Sequence, residues 1–268
     1  MSLMLGAERG QQLRRLLIDQ GSVRVSVEAK RFGVSEETIR RDIKRLAAEG
    51  LAEPVFGGAV LRPGTGTPGG SLLPVGERRQ VQESAKDAIG AAAARLVAPG
   101  QSVIIDAGTT TLAVAKHLTR HRDLTVATNS LPIAQACADI PGCLTYMVGG
   151  RLVPGSLSTI GPQAERDFAG ISADWAFIGA AAIDIGCGFT SADPFEAQVK
   201  GAMIRAARRT VIVADHTKFG ARRFASFALP QDIAYLITTE GCPPEVRSWL
   251  EAGGVDVMLC SSVPEKAA

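Results

Sequence analysis

Two groups of residues in this 268-residue chain have types and spacing that can do chemistry. The first is Ile105-Asp106-Ala107-Gly108-Thr109-Thr110-Thr111, which reads as a strand, a tight loop and a helix start. Gly108 permits close backbone approach. The amides that follow converge with the hydroxyls of Thr109 and Thr110 where a helix dipole favours an anion. That chemistry suits a phosphate, although a plain strand-helix turn with a threonine cap uses the same residues. The second group is Val34 to Leu51, a short helix with two unlike faces. Ser35 is placed to cap its N-terminus, Ile39, Ile43, Leu46 and Ala47 form an apolar stripe, and Gly50 ends it. Arg40, Arg41, Lys44 and Arg45 lie roughly opposite and offer positive charge to something negative.

Polar residues recur at further strand ends, where open α/β sheets bind ligands. Thr128-Asn129 follows a second strand, Gly149-Gly150 a third and Gly179 a fourth. Asn129 can donate and accept at once, as recognition of a sugar hydroxyl requires, or it can cap the helix beginning near Ser130. The paired glycines equally make a turn. Asp215-His216-Thr217-Lys218 follows a later strand, and Lys218 offers a point charge to a phosphate, though a solvated loop lysine is the commoner case. Glu196 and Lys200, four apart on one helix, read as a surface ion pair. His117 and His121 share a face, but no Cys, Asp or Glu beside them completes a metal set, so both read as solvated surface residues. The sequence supports no nucleophile-base arrangement, and no cofactor or metal is expected.

Both groups need elements to hold them. Arg9 to Gln20 is predicted as a first helix, with Leu13, Leu16 and Leu17 on one side and Gly21 as its stop. Val27 to Phe32 is a short second helix, and Gly33 lies in the turn before the basic helix. That order fits a helix-turn-helix, in which Ser35 and Thr38 join the basic residues as candidate DNA contacts. Ala52 to Leu61 is two apolar runs around Gly57-Gly58, a hairpin that makes the module winged. Pro54 cannot donate to a ladder and must sit on an edge or at a bulge.

Arg62 to Ser71, rich in glycine and proline, is the linker. Beyond about Val75 come short buried-strand runs: Val103–Ile105, Leu124–Ala127, Leu144–Val148, Trp175–Ile178, Val211–Ala214, Tyr235–Ile237 and Val255–Leu259. Helical segments are predicted at Ser84–Leu96, Thr111–Leu118, Leu131–Ala138, Gln163–Phe168, Phe195–Arg208 and Pro244–Ala252. The alternation implies a mostly parallel sheet covered on both faces. The expected organisation is therefore α/β, with a winged helix-turn-helix over residues 1–61, a flexible linker over 62–75 and an α/β domain over 76–268.

Composition sets the outer bounds. An apolar fraction of 46% with 21% charged residues describes a soluble globular protein with a sizeable core. A net charge of +2 means that any nucleic-acid affinity is local rather than global. No run approaches the roughly 18 apolar residues that span a bilayer, so no membrane role is expected. The five cysteines are odd in number and contain no Cys-x-x-Cys pair. They read as reduced, mostly buried residues of a cytoplasmic protein.

The chain resembles the DeoR family of bacterial transcriptional repressors over nearly its full length. The N-terminal match is Phe32-Gly-Val-Ser-x-x-Thr-Ile-Arg-Arg-Asp, then Leu46, Gly50-Leu51 and Gly57-Gly58-Ala59. The C-terminal match comprises Asp106-x-Gly-Thr-Thr, Thr128-Asn-Ser, Gly149-Gly150, Gly161, Asp174-x-Ala-Phe-Ile-Gly, Gly188-Phe-Thr and Asp215-x-x-Lys218-Phe-Gly. The resemblance implies a winged helix-turn-helix joined to a sugar-phosphate sensor of the ribose-5-phosphate isomerase-like type. It further implies repression of a sugar-catabolism operon under control of a phosphorylated sugar. Three departures stand out. Val27-Glu28-Ala29 replaces Glu-Leu-Ala, Pro54 and Phe56 replace an Arg and a His in the wing, and Ala180-Ala181-Ala182 replaces a glycine pair.

Three functions compete. An effector-controlled DNA-binding repressor, a homo-oligomer (dimer or tetramer) on repeated half-sites of double-stranded operator DNA, uses every motif. Its effector would lie between Asp106-Gly108-Thr109-Thr110 and Asp215-Lys218, with Thr128, Asn129, Gly149 and Gly150 along the sugar. A sugar-phosphate isomerase or deaminase needs an acid-base pair, for which Glu196 and Asp215 are the candidates, and leaves the N-terminal module unexplained. A sugar kinase would explain Asp-x-Gly-Thr-Thr but requires a second acidic motif that this chain lacks.

Overall fold

The computed structural model describes residues 6–20, 22–55, 57–61 and 82–261. The chain divides into two compact units, Met1–Thr67 and Pro68–Ala268. The expected linker over 62–75, the Gly21 stop and Phe56 of the wing lie outside the described residues.

The first unit contains α1 (Gly6–Gln20), β1 (Ser22–Arg24), α2 (Val25–Phe32), α3 (Glu36–Ala48), β2 (Ala52–Val55) and β3 (Gly58–Leu61). α3 forms as its spacing predicts, with the Ser35 hydroxyl accepting from the Thr38 amide. At its other end Gly50 takes φ +78°. Gly50 N–H then donates to Ala47 O and Leu51 N–H to Leu46 O, both at 2.9 Å. This paired arrangement satisfies carbonyls the last turn would leave orphaned. Leu13 and Leu17 of α1 close the core against Ile39, Ile43 and Leu46.

The sequence reading missed β1, because three residues are too few to show a period. β1 pairs antiparallel with β3, so the sheet order is β1-β3-β2 and the expected hairpin becomes a three-stranded sheet. Pro54 accordingly sits on the edge strand β2.

The second unit is built on α4 (Glu83–Ala94), β4 (Ser102–Ile105), α5 (Thr109–Leu118), β5 (Thr125–Thr128), α6 (Leu131–Cys137) and β6 (Leu144–Met147). After β7 (Arg151–Val153) and β8 (Ser158–Ile160) come α7 (Pro162–Ala169), β9 (Ala173–Gly179), β10 (Ala182–Asp184), β11 (Gly188–Ser191) and α8 (Pro194–Arg205). Then follow β12 (Ala207–Val213), β13 (Ala225–Ala228), β14 (Tyr235–Thr239), α9 (Pro244–Ala252) and β15 (Asp256–Cys260). The seven runs read as strands form one sheet, ordered β15-β14-β12-β9-β4-β5-β6, and every neighbouring pair is parallel.

Alternation along each strand separates two cores. Ile104, Ile178, Ile212 and Leu236 pack with Phe168 of α7, Met203 of α8 and Leu250 of α9. Val103, Ile105, Phe177 and Val213 pack with Ile89 of α4, Leu112 of α5 and Ile133 of α6. Asp174 ties β9 to β4 at the amino ends of these strands, accepting from the Ser102 amide at 2.9 Å and its hydroxyl at 2.8 Å.

Several expectations need correction. The β7-β8 hairpin and the antiparallel β10-β11-β13 sheet were not foreseen, since these short strands are mixed in polarity and none offers an apolar run like Val103-Ile-Ile. α8 stops at Arg205 rather than Arg208, because Ala207 opens β12. Ala182, part of the alanine run, is buried and begins β10. Only Cys137 of the five cysteines is buried. The others are half-buried, and all are free thiols.

One position in the first unit breaks the burial pattern. α2 starts at Val25 rather than Val27, which leaves the Val27 side chain 52% exposed and Glu28 only 3% exposed. Glu28 therefore occupies the inward position that the family resemblance assigns to leucine. Its Oε2 has no hydrogen-bond partner, and the nearest cation, exposed Arg31, stands 3.9 Å away. A buried acceptor without a donor costs about 1–3 kcal/mol. Glu28→Leu is therefore expected to stabilise the N-terminal unit by about that amount. Urea unfolding of the full chain checks it, and a loss of stability would mean that the carboxylate is held by contacts worth more than its burial costs.

Candidate functional site

Parallel register brings the carboxyl ends of β4, β5, β9 and β12 side by side. Ile105 is level with Thr128 and Phe177, and Gly179 with Val213. Asp106, Asn129, Gly179 and Asp215 thus emerge along one edge of the sheet. The order places β5 and β6 on one side of β4 and β9, β12 and the rest on the other. The crevice between β4 and β9 is the topological switch point.

A buried charge cluster closes the floor of that crevice. The Lys200 side chain, 3% exposed, reaches from α8 to the Asp106 carboxylate, itself 1% exposed, and donates to it. Lys200 Nζ also donates to Gly179 O at 2.9 Å, while the Gly179 amide donates back to Asp106 Oδ2 at 3.0 Å. Glu196 lies 3.6 Å from the same ammonium. Burial works against the charge on Lys200. The Asp106 and Glu196 carboxylates outweigh it and hold its pKa above the ordinary lysine value. The expected surface ion pair is therefore a buried one, and Asp106 is its anchor. Sequence spacing showed Glu196 and Lys200 on one face but gave no sign that the face turns inward.

Beside this floor, α5 begins at Thr109. The Thr111 hydroxyl is committed to Gly108 O at 3.1 Å. No hydrogen bond is formed by the hydroxyls of Thr109 or Thr110 among the described residues, so the first turn keeps donors for an anion. Asp215 caps the short 3-10 turn His216–Lys218, accepting from the amide and hydroxyl of Thr217. Burial pushes the Asp215 carboxyl up. The charge of Lys218, the Thr217 bonds and the charge of Lys86 outweigh it and hold Asp215 below the usual carboxylate range. Lys86, 7% exposed in α4, is a residue the sequence reading missed. Its only signal was a lysine on an otherwise alanine-rich buried helix.

The other candidates fall into two kinds. Thr128 is fully buried, its hydroxyl donating to Ile105 O at 2.6 Å and accepting from the Ser130 amide, so it fastens β5 to β4. Asn129, 2% exposed, donates from Nδ2 to Thr159 O at 2.9 Å and leaves a buried Oδ1 without a partner. Gly149 and Gly150 are exposed, and Gly150 adopts φ +133° with room for no Cβ, which would lie 2.8 Å from Ile160 O. They make the turn into β7. His117 and His121 are half-buried rather than solvated, His117 Nε2 lying 2.8 Å from Asp87 Oδ1 and His121 Nε2 3.0 Å from Val97 O. Among the described residues no group of His, Cys, Asp or Glu is arranged to hold a metal. Two surface cavities, of about 370 and 660 Å³, have none of the candidate effector residues in their linings.

In the first unit all four basic residues of α3 are exposed, but they are not equivalent. Arg40 donates to Glu36 at 2.7 Å. Arg45 leans toward α1, where a Cβ on Gly10 would fall 1.9 Å from its Nη2, and it lies 4.0 Å from both Asp42 and Glu49. Arg9 of α1 pairs with buried Asp42 at 2.7 Å, so Asp42 and Arg45 bind α1 to α3. Arg41 and Lys44 make no ion pair among the described residues. The Ser35 and Thr38 hydroxyls lie 2.9 Å apart. One O–H is used between them and the other is left to donate.

Replacing Lys200 by Met is expected to destabilise the second unit by about 3–5 kcal/mol, since it strands the Asp106 carboxylate in the core. Adding Asp106→Asn to that variant is expected to restore most of the loss, as a double-mutant cycle in urea would show. Asp215 has a lowered folded pKa. Its contribution is therefore present above the unfolded value of about 3.9 and lost as pH falls through the lower folded value. Asp215→Asn is expected to flatten that acid limb of the stability profile, measured by unfolding between pH 5 and pH 2.

Comparison with known proteins shows the family. Residues 9–63 match the DeoR-like helix-turn-helix domain, and residues 81–240 match the DeoR C terminal sensor domain. A putative aga operon transcriptional repressor from Escherichia coli O157:H7 is 34% identical, covering 94% of this chain and 93% of its own. The regulator GlpR of Haloferax volcanii is 33% identical over 95% of this chain and 98% of its own. The repressor CsqR of E. coli K12 is 31% identical over 96% of each chain. Among solved structures, ribose 5 phosphate isomerase A from Neisseria gonorrhoeae shows 15% identity and a TM-score of 0.37, covering 53% of this chain and 55% of that one. That likeness is too partial to bear on function. The matched domains and full-length relatives place the chain in the DeoR family of DNA-binding transcriptional regulators.

Proposed function

We propose that this regulator is a repressor that binds operator DNA through α3 and a phosphorylated sugar at the carboxyl ends of β4, β5 and β12. The observation that carries the effector reading is the start of α5. Thr109 and Thr110 keep unbonded hydroxyls there, at a helix N-terminus, beside an Asp106 carboxylate whose charge Lys200 offsets. Lys86 and Lys218, whose charges both act on Asp215, supply the cationic side of a phosphate site. The bare Oδ1 of Asn129 supplies an acceptor for a sugar hydroxyl. Thr128, Gly149 and Gly150 shape the crevice rather than touch the ligand. Relatives named as repressors support repression as the mode of regulation.

On the DNA side, Arg41 and Lys44 make the principal phosphate or guanine contacts. Arg40, Arg45, Ser35 and Thr38 serve mainly to hold the helix. A dimer or tetramer in the cytoplasm matches two or more such modules to repeated half-sites. The effector changes DNA affinity only if it binds two arrangements of the protein unequally. An isomerase or deaminase gains no support from the geometry. Its acid-base candidates are both engaged, Glu196 beside Lys200 and Asp215 with Thr217.

Fluorescence anisotropy of labelled DNA from upstream of the protein's own gene cluster, at fixed salt, tests the reading with and without a panel of sugar phosphates. Wild-type protein is expected to bind and one sugar phosphate to release it. Arg41→Ala is expected to bind about 10- to 100-fold more weakly with its unfolding curve unchanged. Thr109→Ala with Thr110→Ala is expected to bind DNA normally and ignore the effector. A normal response in that variant would move the phosphate site elsewhere.

A further inference from the structure

The exposed face of α3 carries a residue that the basic reading leaves out. Opposite the buried stripe Ile39, Ile43 and Leu46 runs a second stripe two residues out of phase: Glu37, Arg41 and Lys44. Two residues turn the helix by about 200°, so these three side chains share the face directed away from the core. Glu37 is 70% exposed. Its neighbour Glu36 takes the close bond from Arg40 at 2.7 Å, which leaves Glu37 with a 3.8 Å approach from the same guanidinium. A first-turn carboxylate favours the helix dipole, and either glutamate serves that purpose. Only Glu37 stands in line with Arg41, one turn before it, where recognition helices bring their N-terminal residues to base edges.

A carboxylate only accepts hydrogen bonds. Among phosphates it is repelled, unless it meets a donor on a base edge. In the major groove cytosine presents its N4 amino group as a donor. Adenine couples its N6 donor to the N7 acceptor, which opposes a carboxylate. We infer that Glu37 is a specificity-determining residue that selects a C·G pair in each operator half-site. The inference rests on the DNA-binding assignment of α3.

Selection of full-length protein on a random double-stranded DNA library, followed by sequencing, tests it. Wild-type protein is expected to enrich a motif with a preferred cytosine, and Glu37→Gln to change the preference at that one position. Glutamine pairs bidentately with adenine, so the expected change is from cytosine toward adenine, with about tenfold discrimination lost. Glu36→Gln is the control and is expected to enrich the wild-type motif. Identical motifs from wild type and Glu37→Gln would overturn the proposal. So would a uniform gain in affinity for all DNA, which would mark Glu37 as a repulsive charge and no more. A wild-type protein that binds DNA but enriches no motif would overturn base reading by Glu37, while one that binds no DNA would fail the assignment of α3 itself.

Discussion

Withdrawing an ammonium group from water costs several kcal/mol, and the sensor unit does so at the centre of its sheet. Lys200 is tolerated there because its donors are taken up at once by the Asp106 carboxylate and Gly179 O, with Glu196 close by. The Gly179 amide returns a bond to Asp106, so α8, β4 and β9 meet in one closed set of contacts. These are the elements that border the switch-point crevice. Their spacing is therefore set by charge as much as by packing, and the loop leaving Asp106 is delivered to the start of α5 in a defined place.

Satisfying that cluster internally has a consequence for the edge above it. Asp106 is spent on Lys200, Thr111 on Gly108 and Thr128 on the strand beneath. The polar groups left over, Thr109, Thr110 and the Asn129 carbonyl, are those that a ligand can use. An acidic residue that looks like a ligand contact by sequence turns out to hold the scaffold. In the proposed reading the hydroxyls beside it are the groups left for recognition.

The DNA-binding unit follows the same division. Arg9 and Arg45 are drawn to Asp42 and fasten α1 to α3, and Arg40 is drawn to Glu36. All four basic residues stay exposed, but only Arg41 and Lys44 make no ion pair among the described residues, and acidic Glu37 lies in line with them. Four basic residues in sequence thus become two available cations, a smaller electrostatic footprint but a more directional one. The inward turn of Glu28 shows the cost of a departure from pattern, since α2 buries a carboxylate where an aliphatic side chain would pack.

The sequence alone marked the seven parallel strands as short runs of apolar residues, though β6 proves largely exposed, and marked the helices of the second unit and the two faces of α3 by their helical spacing. It also located the loop at Asp106 and the cap at Ser35, whose chemistry is local. It could not show which way a polar residue on a mixed face points. Lys200 reads as part of a surface pair and is buried, Lys86 and Glu28 are buried with no local sign of it, and Thr128, read as lining the sugar, is bonded to the neighbouring strand. Nor could it find β1, the β7-β8 hairpin or the small antiparallel sheet, whose strands are short and mixed in polarity. The bond between Lys200 and Asp106, 94 residues apart, exists only once strand order has put α8 beneath β4 and β9. Tertiary structure decided these points because the partner that makes a buried charge affordable comes from a distant part of the chain.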